Sequence, residues 1–232
     1  MARFKSYVYT SLFAISCVLL ISCNKNDSGV IAWVNQYPIS NTEFEHWMLL
    51  QRAAVHNYFY TTYRAADSDD FWETEIEGES PLEMLREMAL EKAVRCKVQQ
   101  IVALEKGIVD HIDFDQMMLE MHEENLKRKT KIEKGEVVYG AKQYTERTYF
   151  AHEFDKMVIQ LKSALSIDEL KPSEKDLAPL IKNENFPLED NRNFYLMQYV
   201  EANYAHYIDS LTQIAEIKLN KDNWNEMNAF FK

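Results

Sequence analysis

The side chains in this sequence that could carry chemistry are few, and their spacing serves little of it. His152-Glu153-Phe154-Asp155-Lys156 opens like a zinc-protease helix, in which two histidines four residues apart share one face, but Lys156 stands where the second ligand must be. His122-Glu123-Glu124 and His111 show no paired ligand spacing either, so no metal and no cofactor is expected. The adjacent carboxylates Asp69-Asp70 and Glu123-Glu124 read as solvated faces, because nothing beside them would split their pKa values into an acid and a base. Cys96 falls among Ala and Leu at helical spacing, the setting of a buried structural thiol. These residues point away from an enzyme.

Cys23 is different. Arg3 and Lys5 precede an uncharged apolar run, Tyr7 to Ile21, that is short for a bilayer span and has the form of a signal peptide. The run closes on Leu20-Ile21-Ser22-Cys23, which resembles the lipobox: branched residues for the signal peptidase, a small residue at the cut, and a thiol to accept diacylglycerol. The expected organisation is a signal peptide over 1–22, a lipidated flexible tether over 23–29, and a folded domain over 30–232. Net charge is −11 and becomes more negative once Arg3 and Lys5 are removed, which disfavours nucleic acid or an anionic membrane surface as partner. Cys17 leaves with the signal and Cys23 is lipidated, so Cys96 has no cysteine to pair with and the fold must rest on packing.

The elements that would position these residues are mainly helices. Ser40-Asn41-Thr42-Glu43 reads as a capping box, with Ile39 placed to staple onto Phe44, and predicts a helix over 41–63. An acidic loop, Asp67 to Glu79, carries Phe71 and Trp72. A second box at Ser80-Pro81-Leu82-Glu83 then starts a helix lasting to Gly107, whose broad apolar arc and polar seam of Glu91, Arg95 and Gln99 mark it as central. Asp110 is read as the cap of a third helix with Phe114, Met117, Met118 and Met121 inward and a charged second half, Glu123 to Lys134, that is solvated or projects. After the link Gly135 to Gly140 come a helix through Phe150, Met157 and Leu161, a short one from Ser173 to about Asn183, and a long one from about Asp190 to Ala215. Leu196, Val200, Tyr204, Ile208 and Leu211 form the inward stripe of that long helix. A final helix bears Trp224, Met227, Phe230 and Phe231. Strand patterns occur only at Val30 to Val34 and Glu216 to Asn220, and since neither can satisfy its backbone alone they are expected to pair. The fold class is therefore mainly α, a helical lobe with a two-stranded β element joining the terminal strands.

Ile31-Ala32-Trp33-Val34-Asn35-Gln36-Tyr37-Pro38-Ile39-Ser40, followed by Glu43-Phe44, resembles the opening strand, turn and helix cap of SurA-type and PrsA-type foldase chaperone domains. That family usually places Gly after the turn Asn, where Gln36 stands here. The resemblance continues through Leu82 to Gly107-Ile108, Gly135 to Gly140 with Gln143-Tyr144-Thr145, Leu161-Lys162, and the closing Ala215-Glu216-Ile217-Lys218-Leu219. It implies a chaperone lobe of the bacterial envelope. Full-length foldases carry a parvulin prolyl isomerase domain of roughly a hundred residues after the helix that corresponds to Ser173, whereas only Asn183 to Asn191 lies there in this chain. No paired active-site histidines or Gly-rich parvulin segment are found, so isomerase activity is not expected.

The aromatic content suggests a surface for unfolded segments: Tyr60, Tyr63, Phe71, Trp72, Tyr195 and Tyr199, placed off the inward stripes, are the expected client-binding residues. Together with the resemblance this predicts a lipid-anchored holdase or foldase accessory, on the periplasmic side of the outer membrane. Its expected partners are unfolded or partly folded envelope proteins, the membrane through Cys23, and a full-length foldase homologue. The alternative is a scaffold or adaptor subunit of an envelope assembly.

Overall fold

The computed structural model describes residues 29–66, 68–184 and 188–227. The expected signal segment 1–22, the lipidation residue Cys23, and Phe230 and Phe231 lie outside the described residues. The elements run β1 (Val30–Val34), β2 (Tyr37–Ser40), α1 (Asn41–Tyr63), α2 (Pro81–Glu105), α3 (Phe114–Glu133), α4 (Glu146–Leu165), α5 (Glu174–Glu184), α6 (Leu188–Ile214), β3 (Ile217–Leu219) and α7 (Lys221–Glu226).

The chain is mainly helical, and its terminal strands do pair: β3 lies antiparallel to β1, with Ala32 opposite Leu219 and Val34 opposite Ile217. The sheet has a third strand, in the order β2-β1-β3. The family resemblance implies a turn and helix cap over residues 37–40, yet they form a strand, because a proline is tolerated on an edge strand, where no ladder donor is needed. The β1–β2 turn takes its one left-handed residue at Asn35, φ 55°, which Asn tolerates, so no glycine is required at Gln36. Asn35 also clamps the C-terminal segment: its N–H donates to the Glu216 carbonyl (2.7 Å) and its Oδ1 accepts from the Glu216 N–H (3.0 Å). Asn223 Nδ2 adds a bond to the Val30 carbonyl at 2.8 Å.

Helix α2 is the central element, because three apolar clusters share it. Leu85, Ala89, Val94 and Ile101 pack in the first cluster with Ile31, Phe44 and Phe59. Val102 and Ala103 enter the second with Met157, Leu161 and Ile208, and Cys96 enters the third with Phe114 and Phe150. The polar seam of α2 receives α6: Tyr204 donates its hydroxyl to Gln99 Oε1 at 2.8 Å, and Arg95 pairs with Asp209.

Two expected capping boxes are only half formed. Ser40 and Ser80 accept from the Glu43 and Glu83 backbone as predicted, but each glutamate turns elsewhere, Glu43 to Lys97 and Glu83 to Arg86. The reciprocal box is at α4, where Thr145 and Thr148 each accept the other's backbone N–H. Asp110 is not the cap of α3. Asp113 is, with extended backbone and its carboxylate accepting from the Gln116 N–H at 2.7 Å; the Ile112 carbonyl just before it is taken by Lys97. Beyond Met121 the α3–α4 hairpin leaves the body as an arm: no residue from His122 to Thr148 is buried.

Candidate functional site

Helix α1 buries Phe44, Met48, Val55 and Phe59 against α2. Its opposite side carries Leu49, Ala53, Asn57 and Tyr60, and since Leu49 and Tyr60 are eleven residues apart, close to three turns, they stand on one stripe. All four are exposed, Leu49 by 53% and Tyr60 by 58%. The only formally charged residue between His46 and Tyr63 is Arg52, whose guanidinium is directed 5.5 Å over the Trp72 ring. The outcome is an exposed, uncharged helix face on an acidic protein. Tyr63 flanks it half-buried, edge-on to Tyr58 and tilted against Phe59. A second exposed apolar pair, Phe194 and Met197, stands one turn apart on α6.

Of the six residues expected to bind clients, Tyr60 is exposed and Tyr63 and Tyr199 are half-buried, while Phe71, Trp72 and Tyr195 are buried. Phe71 and Trp72 lie in a loop as expected, but packing takes both out of reach of a client. The loop folds back on α1, His56 stacks on Phe71 at 4.2 Å and meets Trp72 edge-on at 4.7 Å, and both rings join the first core cluster. Loop membership therefore does not make these rings accessible. Tyr195 is fully buried, as is Leu177 of α5, the helix that packs against α6. Leu49, Phe194 and Met197 are exposed apolar side chains that the sequence reading does not single out. The signal in the sequence was the long uncharged stretch from His46 to Tyr63, which reveals its meaning only once the buried side of α1 is known.

The groups of chemical interest are spent on holding elements together. Cys96 is buried, and loss of solvation pushes its thiol well above the ordinary range, so it stays protonated. Glu43 and Lys97 form a buried ion pair at 2.8 Å, and Lys97 Nζ also donates to the Ile112 carbonyl at 3.2 Å. Burial raises the Glu43 pKa, with Lys97 pulling it down. His46 Nδ1 lies 2.9 Å from Glu146 Oε1, joining α1 to α4, and burial lowers its pKa against the opposing pull of that carboxylate. His111 Nε2 meets Glu120 at 2.8 Å, and His152 is exposed beside Glu153. Among the described residues no group of three or more His, Cys, Asp or Glu is placed to hold a metal ion, and no helix is long and apolar enough to cross a membrane.

Comparison with protein-family models, curated proteins and solved structures finds no match. The functional reading therefore rests on the residues themselves.

Proposed function

We propose that this chain is an envelope lipoprotein, anchored through Cys23, that holds unfolded or partly folded exported proteins on a SurA/PrsA-type chaperone lobe and performs no prolyl isomerisation. The observation that carries the reading is the exposed α1 face of Leu49, Ala53, Asn57 and Tyr60. Such a face gives no specific charge or pocket to one folded partner, but it offers apolar contact to any extended chain with side chains to cover. The Phe194–Met197 pair offers more of the same. The sheet that unites the two chain ends is the arrangement the family resemblance implies, and it supports the same reading.

Contacts of this kind are weak singly. Full burial of a large apolar side chain is worth roughly 1.5–3 kcal/mol, and a residue already half covered gives about half of that. A micromolar complex needs about 8 kcal/mol, so holding a client takes several such sites at once and discriminates little between sequences. The test is light scattering from an outer-membrane β-barrel protein diluted out of urea. Scattering should fall as the chain starting at Asn24 is added in stoichiometric amounts. Undiminished scattering would remove the holding reading and favour a scaffold with one folded partner.

A further inference from the structure

The acidic net charge conceals a reversal at the end of the α3–α4 arm. Between Leu126 and Tyr144 the chain carries Lys127, Arg128, Lys129, Lys131, Lys134 and Lys142 against Glu133 and Glu136 alone. Arg128 is committed to structure. It pairs with Glu124 at 2.8 Å, donates to the Tyr139 and Ala141 carbonyls, and lies 4.6 Å over the Tyr144 ring. Asn125 exchanges two further bonds with the Tyr144 backbone, at 2.9 and 2.7 Å. The link after α3 is thus tied down against the helix. Four lysines there (Lys127, Lys131, Lys134 and Lys142) make no ion pair among the described residues, and Lys129 only approaches Glu133 at 4.0 Å.

The same tip turns apolar side chains outward. Tyr139 is 86% exposed, Val137 72% and Leu126 65%. Between α3 and Lys142 lies a groove of about 760 Å³ lined by the apolar Leu126 and Ile132 together with Lys129 and Lys142, with Glu133 as its one carboxylate. A fold gains nothing by fixing apolar groups in water. A partner with negative charge at its surface and hydrocarbon just beneath it satisfies both features, the lysines staying at the charged layer while their stems and the apolar side chains go deeper.

We propose that the arm tip docks on an anionic phospholipid bilayer, with Val137 and Tyr139 entering the headgroup region and Lys129 and Lys142 receiving a lipid phosphate above Leu126 and Ile132. The acidic remainder of the chain is repelled by such a surface, so contact is end-on and confined to the tip. This contact is separate from the lipid on Cys23 and from the α1 face proposed to hold clients.

The chain starting at Asn24 keeps every described element and lacks the acylated cysteine, so it isolates the tip. In flotation it should bind vesicles of phosphatidylcholine mixed with phosphatidylglycerol and leave vesicles of phosphatidylcholine alone, and high salt should release it. A solvent-sensitive dye on Tyr139→Cys, with Cys96 buried and unreactive, should shift to the blue on the anionic vesicles only. Replacing Lys127, Lys131 and Lys142 together by Gln should weaken binding on the order of a hundredfold, at roughly fivefold for each lysine near an anionic surface. Suppression of client aggregation should be unchanged in that variant, which separates this site from the holding reading. Equal binding to neutral vesicles, no binding to either, unchanged affinity in the triple variant, or a dye that responds to unfolded polypeptide or nucleic acid but not to vesicles would each overturn the proposal.

Discussion

Lys97→Met is the most informative single perturbation of the frame. Lys97 and Glu43 are both almost wholly buried; Lys97 Nζ donates to Glu43 Oε2 at 2.8 Å, and Glu43 Oε1 has no hydrogen-bond partner among the described residues. Removing the lysine leaves a carboxylate in an apolar setting and strips the Ile112 carbonyl of its donor, just before α3 begins. Breaking a buried pair from one side costs about 3–5 kcal/mol, out of a total near 5–15 kcal/mol for a typical domain. At about 2–4 °C per kcal/mol for a chain of this size, the melting midpoint should drop by about 6–20 °C at pH 7. The loss should also depend on pH. Glu43 already titrates above its ordinary 4.5 and moves higher without Lys97. A carboxyl whose folded pKa is raised contributes most below its unfolded value and loses that contribution as pH rises, so the variant's deficit should shrink between pH 7 and pH 5. The double variant Glu43→Leu/Lys97→Met removes both charges and should return close to wild-type stability. Thermal and urea unfolding followed by circular dichroism measure all three. A single variant within about 1 kcal/mol of wild type, or a double variant as unstable as the single, would refute the reasoning.

A chain ending at Ala215 loses the clamp on Asn35, the β3 edge and Met227 from the core, and should lose cooperative unfolding; an unchanged melt would show that the ends do not support each other. His46 is held neutral by burial, so its contribution is present above its ordinary 6.5 and lost as pH falls below that; His46→Asn should flatten the decline in urea midpoint between pH 7 and pH 5.5, and an identical decline would assign it to other groups. Cys23→Ala should abolish incorporation of a clickable fatty acid in growing cells, and equal label in mutant and parent would exclude lipidation there.

Much of the frame was legible in the sequence because helix signals are local. Ser40 and Ser80 accept the backbone bonds they were expected to accept, α1 spans the predicted 41–63, and the breadth of the α2 arc gave its central place. What failed required a neighbour. Glu43 has the spacing of a capping-box residue, but spacing cannot show that Lys97, fifty-four positions away, will claim its carboxylate. Phe71 and Trp72 lie in an acidic loop, and only the fold shows His56 drawing both rings inward. Tyr195 lies off the stripe expected of its own helix and is nonetheless fully buried. The site suffered most from this. Exposure of a side chain is set by every element around it, whereas periodicity reports on one element at a time, and net charge says nothing of where along the chain the positive residues gather.

The claim on which the functional reading depends is that unfolded clients contact the α1 face. The measurement is fluorescence anisotropy of a labelled, urea-diluted outer-membrane protein titrated with the chain starting at Asn24, compared with Leu49→Ser/Tyr60→Ser. Both positions are solvent-facing, so circular dichroism should show the fold retained. Each side chain can bury about half of its surface on binding, worth together about 1.5–3 kcal/mol, so affinity should fall about ten- to hundredfold with little dependence on salt. An affinity equal to that of the parent chain would contradict the account.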